Sequence, residues 1–167
     1  MLKIAKTVTA KPNKQTPLLS AFFLFILLIS PVHSSWAQAA DTNMTENETI
    51  IREFVAAWSN LDADERATYF TEDGTYYNMP TQPISGRENV RDFIANFMRP
   101  WESTEWEILN LLVEGDIVMV ERVDHTVALG NNIDLPCLGY FLMEDGKIKM
   151  WRDYFDLATY TSALSPQ

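Results

Sequence analysis

From residue 45 onward the apolar positions fall into two regimes. Ile50, Ile51, Phe54, Val55 and Trp58 recur at helical spacing behind a Thr45-x-x-Glu48 capping box, so a helix is predicted to run to about Asn60. A short second helix is expected over residues 64–70, then a turn at Glu72-Asp73-Gly74 and a short strand over 75–79 that stops at Pro80. Ser85-x-x-Glu88 reads as another capping box, and Val90, Phe93, Ile94 and Phe97 give a helix face that ends before Pro100. Beyond Pro100 the period changes to two. Strands are expected over 105–113, 117–128, 135–143 and 148–155, joined by turns at Glu114-Gly115-Asp116, Gly130-Asn131-Asn132 and Glu144-Asp145-Gly146. Helices followed by an antiparallel meander make an α+β domain. The expected architecture is a curved mixed or antiparallel sheet wrapped around the N-terminal helices, a cone with an interior pocket.

The first 39 residues read differently. Lys3, Lys6, Lys11 and Lys14 precede an apolar run over 18–29, Ser30-Pro31 and then Ala37-Gln38-Ala39. That order is a cleavable export signal, and the run is short for a membrane span; an uncleaved anchor is the alternative. Cleavage after Ala39 would leave a single domain over 40–167, exported to the periplasm or secreted, without stable membrane contact. Removal of four lysines takes the formal net charge from -10 to -14. So acidic a chain is a poor partner for nucleic acid or anionic lipid. One cysteine, Cys137, excludes an intrachain disulfide and zinc-finger spacings, and reads as a small buried apolar residue. Two histidines, His33 and His125, nearly exclude His-dependent triads and multi-His metal sites. Chemistry here must run on carboxylates.

Alternation then exposes an anomaly. Val118, Val120, Arg122, Asp124 and Thr126 share one strand face, and its valines mark it as the core face. Trp151, Asp153 and Phe155 share another, with an acid between two large aromatics. Tyr76 and Asn78 share a third. Burying ions is costly unless they are paired and hydrogen-bonded. An arginine between two acids can donate to both, and two coupled acids can divide into one neutral and one ionised, the division acid–base catalysis needs. A purely structural ion-pair network satisfies the same spacing. His125, next in sequence to Asp124, points outward by alternation.

Tyr76-Tyr77-Asn78-Met79-Pro80, Glu121-Arg122-Val123-Asp124 and Trp151-Arg152-Asp153-Tyr154-Phe155-Asp156 resemble the three active-site segments of the limonene-1,2-epoxide hydrolase family, in the family's order, and Gly86-Arg87 is also similar. The resemblance spans roughly residues 47–160. It implies a cone fold shared with ketosteroid isomerase, polyketide cyclases and scytalone dehydratase, and cofactor-free, metal-free opening of a small apolar epoxide by water in one step. Asp153 would be the base that takes a proton from water. Tyr76 and Asn78 would hold that water, protonated Asp124 would donate to the epoxide oxygen, and Arg122 would bridge the acids. Members of the family are cytoplasmic, so the export signal is a departure from it.

The pocket wall is not fixed by the resemblance. Met79, Ile84, Leu138, Tyr140, Trp151 and Phe155 are the candidate substrate-lining residues, with plain core packing as the alternative. Trp101 and Trp106 flank a turn and are either a ligand lid or surface-packing aromatics. Arg152 and Asp156 fall on the opposite face from Asp153. Ile117, Met119 and Val123 make the outward face of their strand unusually apolar, which suggests a homodimer across the sheet. Two other functions compete with epoxide hydrolysis: an isomerase or cyclase of the same fold, and a non-catalytic binding protein for a small apolar ligand.

Overall fold

The computed structural model describes residues 44–164. The expected export segment lies outside them. Helix α1 (Glu46–Ala57) starts as the capping box predicts, with the Thr45 side chain accepting from the Glu48 N–H. A 3-10 turn (Trp58–Asn60) and helix α2 (Ala63–Thr68) follow, the latter capped by Asp62. Strand β1 (Phe70–Asn78) leads through β2 (Ile84–Ser85) to helix α3 (Arg87–Phe97). Then come β3 (Trp101–Glu114), β4 (Ile117–Ala128), β5 (Asn131–Glu144) and β6 (Lys147–Phe155), and a last helix α4 (Leu157–Ala163).

The six strands form one curved, unclosed sheet in the order β2-β1-β6-β5-β4-β3. Only the β1–β6 pairing is parallel. That pairing positions the site, because it sets Tyr76 beside Trp151 and Asn78 beside Asp153. Helix α1 lays Ile51, Phe54 and Val55 into the concave face, where they meet Trp58, Phe141 and Trp151. The rings interlock: Trp58 stacks on Trp106 at 4.1 Å, Trp151 stacks on Tyr76 at 4.1 Å, and Phe54 meets Trp151 edge-on at 5.2 Å. A second, smaller cluster of Ala128, Ile133, Leu135, Cys137 and Tyr160 sits at the other end of the concave face.

Three expectations are corrected. Glu72-Asp73-Gly74 is not a turn but an irregularity inside β1, between the Phe70–Ile148 and Thr75–Met150 pairs. Gly74 is needed there because a Cβ would meet the Ile148 carbonyl oxygen at 3.0 Å. Ser85 does not cap α3. Gly86 is the N-cap, at φ 92, and the Ser85 hydroxyl bonds Thr75 across the β1–β2 pair at 2.9 Å. The chain past Asp156 carries a helix that the hydrophobic pattern does not announce, and Asp156 caps it by accepting from the Ala158 and Thr159 N–H groups.

The two residues at the start of α3 should therefore respond differently. Ser85→Ala removes only an exposed hydroxyl contact and should leave stability within about 0.5 kcal/mol. Gly86→Ala forces a positive φ on an alanine and should cost about 1–3 kcal/mol. Denaturant unfolding of both variants checks this; a larger loss in Ser85→Ala would restore the capping box.

Candidate active site

Alternation delivers the polar side chains to the concave face, as expected. Val118, Val120, Arg122, Asp124 and Thr126 are all buried along β4, and Asp153 is buried on β6. Arg122 is 0% exposed. Its guanidinium grips both acids with two hydrogen bonds each. Nε and Nη2 donate to Asp124 at 2.7 and 3.1 Å, and Nη1 and Nη2 donate to Asp153 at 2.9 and 2.8 Å. The face of Trp106 covers the guanidinium, with Cζ 4.2 Å from the ring centroid. Gly139 makes room: a Cβ there would stand 3.0 Å from Arg122 Nη1 and 2.8 Å from the Phe141 ring.

The charge balance is uneven. Two carboxylates and one guanidinium leave a buried excess of one negative charge, and retaining one proton removes it. Asp124 is pushed toward the neutral form. Burial pushes its carboxyl up to about 6, the Asp153 charge adds to this, and Arg122 opposes it. Burial opposes the charge on Arg122, but the charges of Asp124 and Asp153 outweigh it and hold the guanidinium protonated. Burial, and then the Asp153 charge, keep the Tyr76 phenol well above its ordinary range.

Tyr76, Asn78, Asp124 and Asp153 line one cavity, and Arg122 holds the two acids at its wall. The cavity is tight. The space open to the centre of a water is about 20 Å³, which admits one water. Asn78 lines this cavity, and its Oδ1 is buried without a hydrogen-bond partner among the described residues.

Of the candidate lining residues, Phe155 alone borders the cavity. Trp151 is fully buried and supports Tyr76 from the core. Ile84 packs on the core from β2, opposite Tyr76. Met79 contributes its backbone N–H, which donates to the Asp153 carbonyl at 2.9 Å. Leu138 and Tyr140 lie on the outward face of β5, because Cys137, Gly139 and Phe141 hold the inward phase. Arg152 sits over the Tyr140 ring on that outer side. His125 is outward too, bonded to Asp134 at 2.7 Å.

Trp101 and Trp106, expected to flank a turn as a lid or as surface packing, instead lie on one strand, β3, and both border the cavity; the rest of the wall comes from residues not assigned to it from the sequence, Phe97, Leu135, Cys137 and Tyr160 among them. Cys137 does more than pack. Its thiol donates to Asp124 Oδ2 at 3.3 Å, and burial pushes that thiol far above its usual range. The inward phase of β5 was readable from Ile133, Leu135 and Cys137; Tyr160 was hidden because α4 was.

Asp124, Cys137 and Asp153 present donor atoms within 4.8 Å of one another, a spacing that suits a metal ion. Arg122 already occupies that cluster with four hydrogen bonds, so a cation would have to compete with the guanidinium.

Residues 51–151 match the SnoaL-like domain. The chain belongs to the SnoaL-like family. Among its relatives is the epoxide hydrolase EphG of Mycobacterium tuberculosis, 27% identical over 107 residues, which are 64% of this chain and 71% of that one. The solved structure of an LEH-like epoxide hydrolase from M. tuberculosis superposes with a TM-score of 0.62 at 25% identity, covering 71% of this chain and 90% of that one. A Catenulispora acidiphila protein with a ketosteroid isomerase-like fold, solved with trimethylamine, matches at TM-score 0.63 and 23% identity over 68% and 90% of the two chains; at that identity it speaks for the fold alone. These epoxide hydrolase matches support the resemblance that the three polar segments carry.

The raised Asp124 carboxyl makes stability depend on pH. Its ordinary value is 3.8 and its folded value about 6. Below both, the group is neutral in either state and its contribution is complete. Between them the unfolded chain ionises and the folded chain does not, so stability is lost as pH rises. Relative to Asp124→Asn, which cannot titrate, the native chain should lose on the order of 1–3 kcal/mol between about pH 4 and pH 7. Parallel stability curves for the two proteins would refute it.

Proposed function

We propose that this chain hydrolyses a small apolar epoxide to a vicinal diol, by direct attack of water in one step. The observation that carries the reading is the buried Asp124–Arg122–Asp153 bridge, facing a cavity that Tyr76 and Asn78 also line. A water in that cavity has Asn78, Tyr76 and Asp153 as its polar neighbours. Asp153 removes one proton as the water oxygen bonds to an epoxide carbon. The carbon–oxygen bond of the ring breaks, and the leaving oxygen takes the proton of Asp124. The products are the diol, a protonated Asp153 and an ionised Asp124. A proton passing back to Asp124 restores the resting state.

The bridge suits this sequence. The negative charge starts on one side of Arg122 and ends on the other, while the charge of the whole site stays constant. No new ion is buried during the reaction, and the guanidinium contacts both acids throughout. Apolar and aromatic walls suit an apolar substrate.

Incubation of the chain with an epoxide in 18O-labelled water is the test. One labelled oxygen per diol is expected on the first turnover, with no enzyme-bound ester. Asp153→Asn and Asp124→Asn should each lower kcat/KM by about 10²–10⁴-fold while remaining folded, and the double variant should be little worse. The native rate should fall as pH rises through about 6, where Asp124 loses its proton. A labelled carboxylate or a trapped ester would replace direct water attack with covalent catalysis. Binding without turnover would favour a ligand-binding protein, and rearrangement without uptake of label an isomerase or cyclase.

We also propose that the chain is a homodimer through the outer face of the sheet. Leu109, Leu112, Met119, Leu138 and Tyr154 line a groove of about 620 Å³ there, and Leu112 is 70% exposed. A two-fold axis lets one such apolar face cover itself. Sedimentation should give a dimer, and Leu112→Glu a monomer; a native monomer at micromolar concentration overturns this.

A further inference from the structure

The acid pair faces a space that admits one water, and an epoxide with a carbon skeleton is larger than that. What closes the space is therefore as much a part of function as what lines it. Three aromatic residues border it from outside the sheet's polar face: Phe97 at the end of α3, Trp101 at the start of β3, and Tyr160 on α4. They are packed on one another, with Phe97 5.1 Å from Trp101 and 5.4 Å from Tyr160. One polar contact joins them: the Trp101 Nε1–H donates to the Tyr160 hydroxyl at 3.0 Å.

We propose that Tyr160 and Trp101 form the latch of a gate over the acid pair, and that α4 is the moving part that sets which substrates reach it. Helix α4 is built to move separately. It has seven residues, follows β6 through the single capping residue Asp156, and belongs to the small second cluster rather than to the main core under α1. Trp101 is the fixed post: it begins the long β3 strand and packs against Trp58 of the main core at 6.0 Å. Closed, the latch leaves room for one water beside the acid pair and keeps bulk solvent out. Open, Tyr160 withdraws and the mouth takes an apolar group. For the substrate this rests on the epoxide reading; for access to the cavity it does not.

Cys137 supplies a test that needs no turnover. It is the chain's lone cysteine, is 5% exposed, and lies in the cavity wall against Asp124. Its rate of labelling by methyl methanethiosulfonate reports how often the mouth opens. Tyr160→Phe and Trp101→Phe each delete the latch hydrogen bond and should each raise that rate about two- to tenfold. The double variant should add little to the faster single, because one bond is removed in all three. Val55→Ala, which weakens the main core away from the mouth, controls for global unfolding and should not accelerate labelling. Tyr160→Ala should also raise kcat/KM for a bulky epoxide relative to a small one. Labelling unchanged in both single variants, or acceleration that simply follows the loss of global stability in every variant including Val55→Ala, overturns the gate. Labelling that follows the latch with no epoxide opened by any variant leaves the gate standing and defeats the epoxide reading instead.

Discussion

Everything about this fold's interior turns on one buried cation between two buried acids. Arg122 cannot leave without stranding Asp124 and Asp153 in a dry wall, and neither acid can leave without stranding the guanidinium. Breaking one arm of a buried pair typically costs about 3–5 kcal/mol. The sheet is arranged to keep all three together: β4 supplies the arginine and one acid two residues apart, and β6 supplies the other from across β5. Trp106 closes over the guanidinium from β3, so the cluster is held by side chains from three strands, with the glycine of a fourth beneath it.

The parallel β1–β6 pairing is the second constraint. A meander alone would end at β6 with an open edge. Instead β1 returns from the helical half of the chain and lies alongside β6, which puts Asn78 directly beside Asp153. The two halves of the chain thus meet at the site, and the helices cannot dock wrongly without moving a polar group that the cavity needs. The aromatic stack of Tyr76 on Trp151 fixes that register from the core side.

The polar half of the site was legible in the sequence because alternation makes a wrong-faced charge conspicuous. Arg122 and Asp124 interrupt a face begun by Val118 and Val120, and no surface strand needs that pattern. The apolar half was not legible. In Cys137-Leu138-Gly139-Tyr140-Phe141 both phases carry apolar residues, so that stretch alone does not say which one is inside; only the phase begun upstream by Ile133 and Leu135 puts Leu138 and Tyr140 outward. The late helix escaped for a different reason. Seven residues with one aromatic carry too few apolar positions for a helical period to register, although Asp156 ahead of them is a good cap. Strands β1 and β3 start earlier than expected, at Phe70 and Trp101, because strands whose outward face needs no hydrophobicity continue through polar residues such as Thr71, Glu102 and Ser103.

Gly139 carries a consequence for how such a site can change through descent. The absent side chain on β5 is what gives the guanidinium of β4 its space. The two positions therefore form a lock in sequence space. A lineage that fills position 139 must displace the Phe141 ring and the guanidinium, and a lineage that surrenders the arginine is left with a notch that invites filling. Gain of a side chain there would be close to irreversible, since the way back requires re-emptying a packed strand before the cation can return. A single hydrogen atom in place of a methyl group thus keeps the charged chemistry of this cone open.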